Sequence, residues 1–170
     1  MKKQITILGS TGSIGKSLLK IIESNKNKFE IVLLTANQNY KTLFNQAKKF
    51  KVKNLIINNK DSYYKLKKLT KKLDIKVFNN FEDFKVIFEK KNDYVMSSII
   101  GLDGLYPTLK IIKFTKKIVI ANKESIICGW NLIKKELDRH KTEFIPVDSE
   151  HFSIWYTLKN NNFVEKIVLT

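Results

Sequence analysis

Asp148 and Glu150 stand two residues apart in Pro146-Val147-Asp148-Ser149-Glu150-His151, directly after the apolar run 144–147. On an extended backbone that spacing puts both carboxylates on one face, where they repel each other unless a proton or a cation lies between them. Oxygen ligands of this kind suit Mg²⁺ or Mn²⁺, which fill the rest of their shell with water and substrate oxygens. A plainer reading is that Asp148 or Ser149 caps a following helix, and spacing alone favours it. His151 and His140 have no partner pattern and read as structural.

Two further segments place polar side chains after apolar runs. Ala121-Asn122-Lys123-Glu124-Ser125 follows the run 118–120; by default Lys123 and Glu124 are surface residues, but their position puts them on a ligand-facing loop. Gly9-Ser10-Thr11-Gly12-Ser13-Ile14-Gly15 holds three of the chain's six glycines, between the run 5–8 and a helical pattern starting at Lys16. GxxGxxG is a weak signal by spacing, but a turn between a first strand and a first helix is where a dinucleotide's pyrophosphate meets unpaired N–H groups. Gly9 would allow the tight turn, Gly12 the approach of phosphate and Gly15 close packing, while Thr11 and Ser13 add hydroxyls. No Gly-Lys-Ser/Thr triplet closes the segment, which argues against a Walker loop; an ordinary glycine-rich turn is the rival reading.

These loops need a scaffold that brings strand ends together. Runs 5–8, 31–35, 55–57, 75–78, 94–99, 118–121, 144–147 and 164–169 read as strands, and 16–24, 40–49, 61–73, 82–89, 105–114 and 124–137 as helices. Their alternation predicts an α/β fold with a Rossmann-like, doubly wound, mainly parallel sheet. Pro107 fits the first turn of a helix and Pro146 the end of a strand. The second strand ends in Thr35-Ala36-Asn37-Gln38-Asn39, with no carboxylate to take the ribose hydroxyls of NAD; with Lys41 following, this favours NADP.

Composition narrows the class. Hydrophobic residues make up 43% of 170 residues, enough for one core. No apolar stretch nears the ~20 residues of a membrane span, and the N-terminus lacks a signal core, so a cytoplasmic protein without membrane attachment is expected. The single cysteine, Cys128, reads as a small buried side chain. The net charge of +16 is nearly all lysine, with Arg139 the one arginine, whereas base-reading surfaces favour arginine. In the pattern Tyr63, Leu66, Leu69, Leu73, residues Lys65, Lys67, Lys68, Lys71 and Lys72 fall on the solvated face of a helix. A nucleic-acid partner is therefore not expected.

Four stretches together, ITILGSTGSIG (5–15), IGLDGLYPTL (100–109), ANKES (121–125) and PVDSEH (146–151), resemble the 1-deoxy-D-xylulose 5-phosphate reductoisomerase family, over residues 2–170. The resemblance implies an enzyme that rearranges a ketose phosphate and reduces the product with NADPH to 2-C-methyl-D-erythritol 4-phosphate. It implies that Thr11, Gly12, Ser13 and Ile14 hold the cofactor phosphates, with Asn39, Asn122 and Glu124 also at the cofactor. Lys123, Ser149 and Glu150 would meet the sugar phosphate, Lys123 and Glu150 as catalytic residues, and Asp148 with Glu150 would bind Mg²⁺, Mn²⁺ or Co²⁺. It further implies an NADPH-binding domain over 1–147, the start of a catalytic domain over 148–170, and a homodimer for the full-length protein.

This chain departs from the family at Gln38, where a lysine is common, and at Asn37, often glycine. The expected third carboxylate ligand, mobile loop and C-terminal helical domain are not in the 170 residues, so an N-terminal fragment inactive alone is expected. The alternatives are a non-catalytic NADP-binding module left by truncation and, behind it, a basic nucleic-acid-binding protein.

Overall fold

The computed structural model describes residues 1–160 and Lys166. Strands and helices alternate along the chain: β1 (Lys3–Leu8), α1 (Ser13–Glu23), β2 (Phe29–Ala36), α2 (Tyr40–Phe50), β3 (Asn54–Ile57), α3 (Lys60–Thr70), β4 (Lys76–Phe78) and a short α4 (Phe84–Ile87). The second half adds β5 (Asn92–Ser97), α5 (Leu105–Ile112), β6 (Thr115–Ile120), α6 (Lys123–His140), β7 (Glu143–Pro146) and α7 (Ser149–Asn160).

The sheet order is β4-β3-β2-β1-β5-β6-β7, and every pairing is parallel, with Ile5 opposite both Ile31 of β2 and Tyr94 of β5. The chain begins in the middle of the sheet, winds outward through β4, and returns to the other side of β1. This leaves a crevice beyond the carboxyl ends of β1 and β5.

Helices cover both faces, which is why the strands read as nearly unbroken apolar runs. Leu8, Leu33, Ile56, Val95 and Ile118 pack on one side with Ile111, Ile133 and the aromatic cluster of Phe81, Phe84 and Phe88. Ile7, Leu34, Leu55 and Ile57 pack on the other with Leu19, Leu43 and Leu66.

Several expectations need correction. The helix expected over 82–89 is a 3-10 turn, Phe81–Asp83, followed by the single turn of α4; there Phe84 and Phe88 pack against Phe114, and that packing takes precedence over helix extension. α3 turns Ser62, Leu66 and Thr70 inward, so Leu69 falls off that stripe and Leu73 lies beyond the helix end at Thr70, whose hydroxyl donates to the Leu66 carbonyl at 3.1 Å; both leucines stay exposed. The five lysines of that segment are exposed, as expected. Cys128 is exposed, not buried: α6 turns Ile126, Gly129, Ile133 and Leu137 inward. The strand expected over 164–169 lies outside the described residues. Among the described residues no helix is long and apolar enough to cross a membrane.

Asp93 ties three strands at the opposite, amino edge. It accepts from the Gln4 amide at 2.8 Å and from Lys116 Nζ at 2.9 Å, and these contacts hold its carboxyl below the ordinary 3.8. A depressed value contributes stability above the unfolded pKa, and that stability is lost as pH falls through the folded one. Asp93→Asn is expected to lose about 1 kcal/mol at neutral pH. In thermal melts across the acid range the gap to the parent should close as the parent's carboxyl protonates.

Candidate functional site

The glycine turn is held from three sides. The Gly9 amide donates to Thr35 Oγ1 at 2.9 Å, and the Ser10 amide to the Thr35 carbonyl at 2.9 Å. Gln46, buried in α2, accepts from Ser10 Oγ at 2.8 Å and donates to the Ser10 carbonyl at 2.9 Å. Ser98, just past β5, donates its hydroxyl to the Leu8 carbonyl at 2.7 Å. Gly15 lets α1 sit directly on the turn, since a Cβ there would lie 2.5 Å from the Gly9 carbonyl oxygen. Gly12 caps α1 without a side chain, and no acid occupies the first turn, so the positive end of α1 is left for an anion.

The turn opens onto a crevice with two halves. One, about 720 Å³, is lined by Thr11 and Gly12, by Asn37 and Asn58 beyond β2 and β3, and by Ile100, Leu102 and Tyr106. The other, about 550 Å³, is lined by Ile14, Asn122, Lys123, Glu124, Asp148, Ser149 and Glu150. Both include Ser98, Ile99 and Ile100. Nine of the eleven sequence-derived residues therefore face one crevice. Ser13 opens α1 and is exposed outside both linings, and Asn39 caps α2 by accepting from the Thr42 amide at 3.2 Å; beside it, Asn37 is the residue that lines the cleft.

Asn122 is 4% exposed and its side chain is fully used. Its Oδ1 caps α6 through the Ser125 amide at 3.0 Å, and its Nδ2 donates to the carbonyls of Ile99 and Gly101, each at 2.5 Å. The side chain thus shapes the loop where the two halves meet.

Asp148 and Glu150 do not lie on an extended segment. α7 begins at Ser149, and Asp148 caps it: Oδ1 accepts from the His151 amide at 3.0 Å and pairs with His151 Nδ1 at 2.7 Å. The capping alternative is what the structure contains, yet it occupies only one oxygen. Asp148 Oδ2 is buried without a partner. Burial raises the Asp148 carboxyl, but the His151 amide and imidazole more than offset this and hold it below the ordinary aspartate value. Glu150 is also lowered, by its own amide and the Ser149 hydroxyl against the cost of burial, with help from the Lys123 charge.

An orphaned carboxylate oxygen beside a second carboxylate fits a hard divalent cation and supplies part of a shell. Among the described residues no cluster of three or more His, Cys, Asp or Glu completes it.

Sequence reading missed Thr35, Gln46 and Ser98. The available signal was polar residues in buried registers: hydroxyls where the strands flanking β1 end, and an amide between Leu43 and Ala47 on the inward stripe of α2.

A parallel doubly wound sheet with a glycine turn opening α1 onto a crevice at its switch point defines a dinucleotide-binding domain of the Rossmann class. The family model for 1-deoxy-D-xylulose 5-phosphate reductoisomerase matches residues 5–129. The chain belongs to that family. A relative from Pelagibacter ubique bearing that name is 59% identical over 99% of the chain, which spans 44% of the relative's length. A reductoisomerase structure from Zymomonas mobilis in complex with NADPH superposes with a TM-score of 0.81 at 34% identity, over 89% of this chain and 40% of that one. Another, in complex with NADPH, fosmidomycin and magnesium, gives 0.80 at 32% identity, over 88% of this chain and 37% of that one.

Proposed function

We propose that residues 1–147 form the NADPH-binding domain, and 148–170 the opening of the catalytic domain, of a 1-deoxy-D-xylulose 5-phosphate reductoisomerase. The complete protein would make 2-C-methyl-D-erythritol 4-phosphate in the cytoplasm, as a homodimer, with Mg²⁺ or Mn²⁺. The observation that carries this reading is the shared crevice: the phosphate turn and the Asp148–Glu150 pair open onto halves that have Ser98, Ile99 and Ile100 in common.

In this reading the first-turn amides of α1 hold the pyrophosphate, and Thr11 contributes its hydroxyl. The end of β2 offers amides at Asn37 to Asn39 and no carboxylate, so nothing there repels a 2′-phosphate. Lys123 places a cation beside Glu150 to receive anionic substrate oxygens, with Ser149 next to it. Asp148 and Glu150 would hold the metal. When bound, NADPH supplies a hydride and the divalent ion polarises the substrate carbonyl.

The test is titration of NADPH into the chain, followed by cofactor fluorescence: saturable binding, tighter than for NADH, supports the reading, and its absence at millimolar cofactor sinks it. Asp148→Asn is expected to weaken Mn²⁺ binding by at least about tenfold, with NADPH binding unchanged. With two carboxylates and an exposed crevice, the chain by itself is expected to turn over little substrate.

A further inference from the structure

Opposite the glycine turn, the first half of the crevice has an apolar rim with nothing over it. Ile100 is 81% exposed, Leu102 58% and Tyr106 49%, and all three line the cleft. The place of this rim in the fold selects its occupant. In a doubly wound sheet the pyrophosphate sits at the first turn and the adenosine ribose beyond β2, so the base belongs between the ends of β2 and β3 and the segment after β5. That is where Asn37, Asn58 and the rim meet.

Tyr106 is the one rim residue whose orientation is fixed by polar contacts. Its hydroxyl hydrogen-bonds to Glu82 Oε1, Lys110 Nζ pairs with the same carboxylate at 2.9 Å, and that ammonium lies 5.2 Å from the centroid of the Tyr106 ring. Glu82 belongs to the 3-10 turn after β4, beside Phe81, which also lines the cleft. The cluster therefore ties two separate walls of the crevice together. Glu82 is 59% exposed and Lys110 40%, so the ion pair contributes little to folding. What it does fix is the position of an aromatic ring at a cleft.

We propose that Tyr106 is the wall against which the adenine of the dinucleotide packs, and that Glu82 and Lys110 are positioning residues that hold its ring for that contact. The inference rests on the dinucleotide reading above. Base–aromatic packing lost by truncation to alanine costs about 5-fold to 150-fold in affinity, and removal of a positioning tie should cost less.

The experiment measures binding of 2′,5′-ADP, a probe of the adenosine half, and of NADPH to the chain and to Tyr106→Ala, Tyr106→Phe and Glu82→Gln. Tyr106→Ala is expected to weaken both ligands by about tenfold while its thermal midpoint stays that of the parent. Tyr106→Phe and Glu82→Gln should each weaken both by a few-fold, and the double variant should be no worse than either, because both break one tie. Parent-like binding of 2′,5′-ADP by Tyr106→Ala overturns the proposal, as does a loss that only follows a fall in thermal midpoint. A parent chain that binds neither ligand overturns the dinucleotide reading and this inference with it, whereas a parent that binds both isolates the failure to Tyr106.

Discussion

Gly9→Ala is expected to abolish dinucleotide binding and to destabilise the chain by about 2–4 kcal/mol. Gly9 has φ +82, a conformation that side chains rarely adopt, and an added Cβ would lie 2.9 Å from the Ser98 carbonyl oxygen and 3.1 Å from the Ile99 nitrogen. These are backbone atoms and cannot rotate away: the Ser98 amide donates to the Leu8 carbonyl at 3.0 Å, so the end of β5 is fixed against β1. Relief would require moving the turn off Thr35 or parting the two strands at the crevice. Gly12 is the control. It has φ −76, and its nearest contact to an added Cβ is the Gly9 oxygen at 3.4 Å, so Gly12→Ala should fold as the parent does and lose affinity only through closer crowding of the phosphate. Denaturant melts and NADPH titrations of the two variants separate the roles; normal binding by Gly9→Ala would refute the turn as the phosphate site.

Most of the sheet was legible because burial on both faces makes each strand an apolar run, and the ligand-facing loops were legible because a doubly wound fold presents strand ends at one edge. The illegible parts depend on which neighbour a side chain meets. Gln46 reads as a surface amide until α2 is placed on the glycine turn, and Cys128 reads as a core residue until Gly129 packs against Leu105, where a Cβ would lie 2.4 Å from Leu105 Cδ1. α7 is signalled in the sequence by its cap alone, because it has no clear apolar stripe: Phe152 and Tyr156 are both exposed, so no helical period marks its length. Spacing alone therefore offers two readings of Asp148 and Glu150, paired carboxylates on an extended backbone and a cap on a following helix, and the structure contains the cap. The residue types that pointed to a divalent cation were still informative, since the cap leaves Asp148 Oδ2 unused.

Asn122→Ala is expected to cost about 2–4 kcal/mol and to weaken NADPH binding at least tenfold. Truncation removes the cap of α6 and leaves the Ile99 and Gly101 carbonyls without their donor, at a site only 4% exposed. The loop they belong to lines both halves of the crevice through Ile99 and Ile100, so its loosening reaches the cofactor and the acidic pair together. Asn122→Asp separates the two functions of the side chain. Aspartate caps a helix as well as asparagine does, yet its second oxygen would face two carbonyl oxygens, an arrangement that raises its pKa. A raised folded value means that the variant is relatively most stable at acid pH and loses that stability as pH rises through it. Asn122→Asp should therefore approach the parent in acid melts and fall to the level of Asn122→Ala at neutral pH. Parent-like stability at neutral pH would mean that the helix cap alone accounts for Asn122, and that the crevice loop keeps its shape without the two carbonyl contacts.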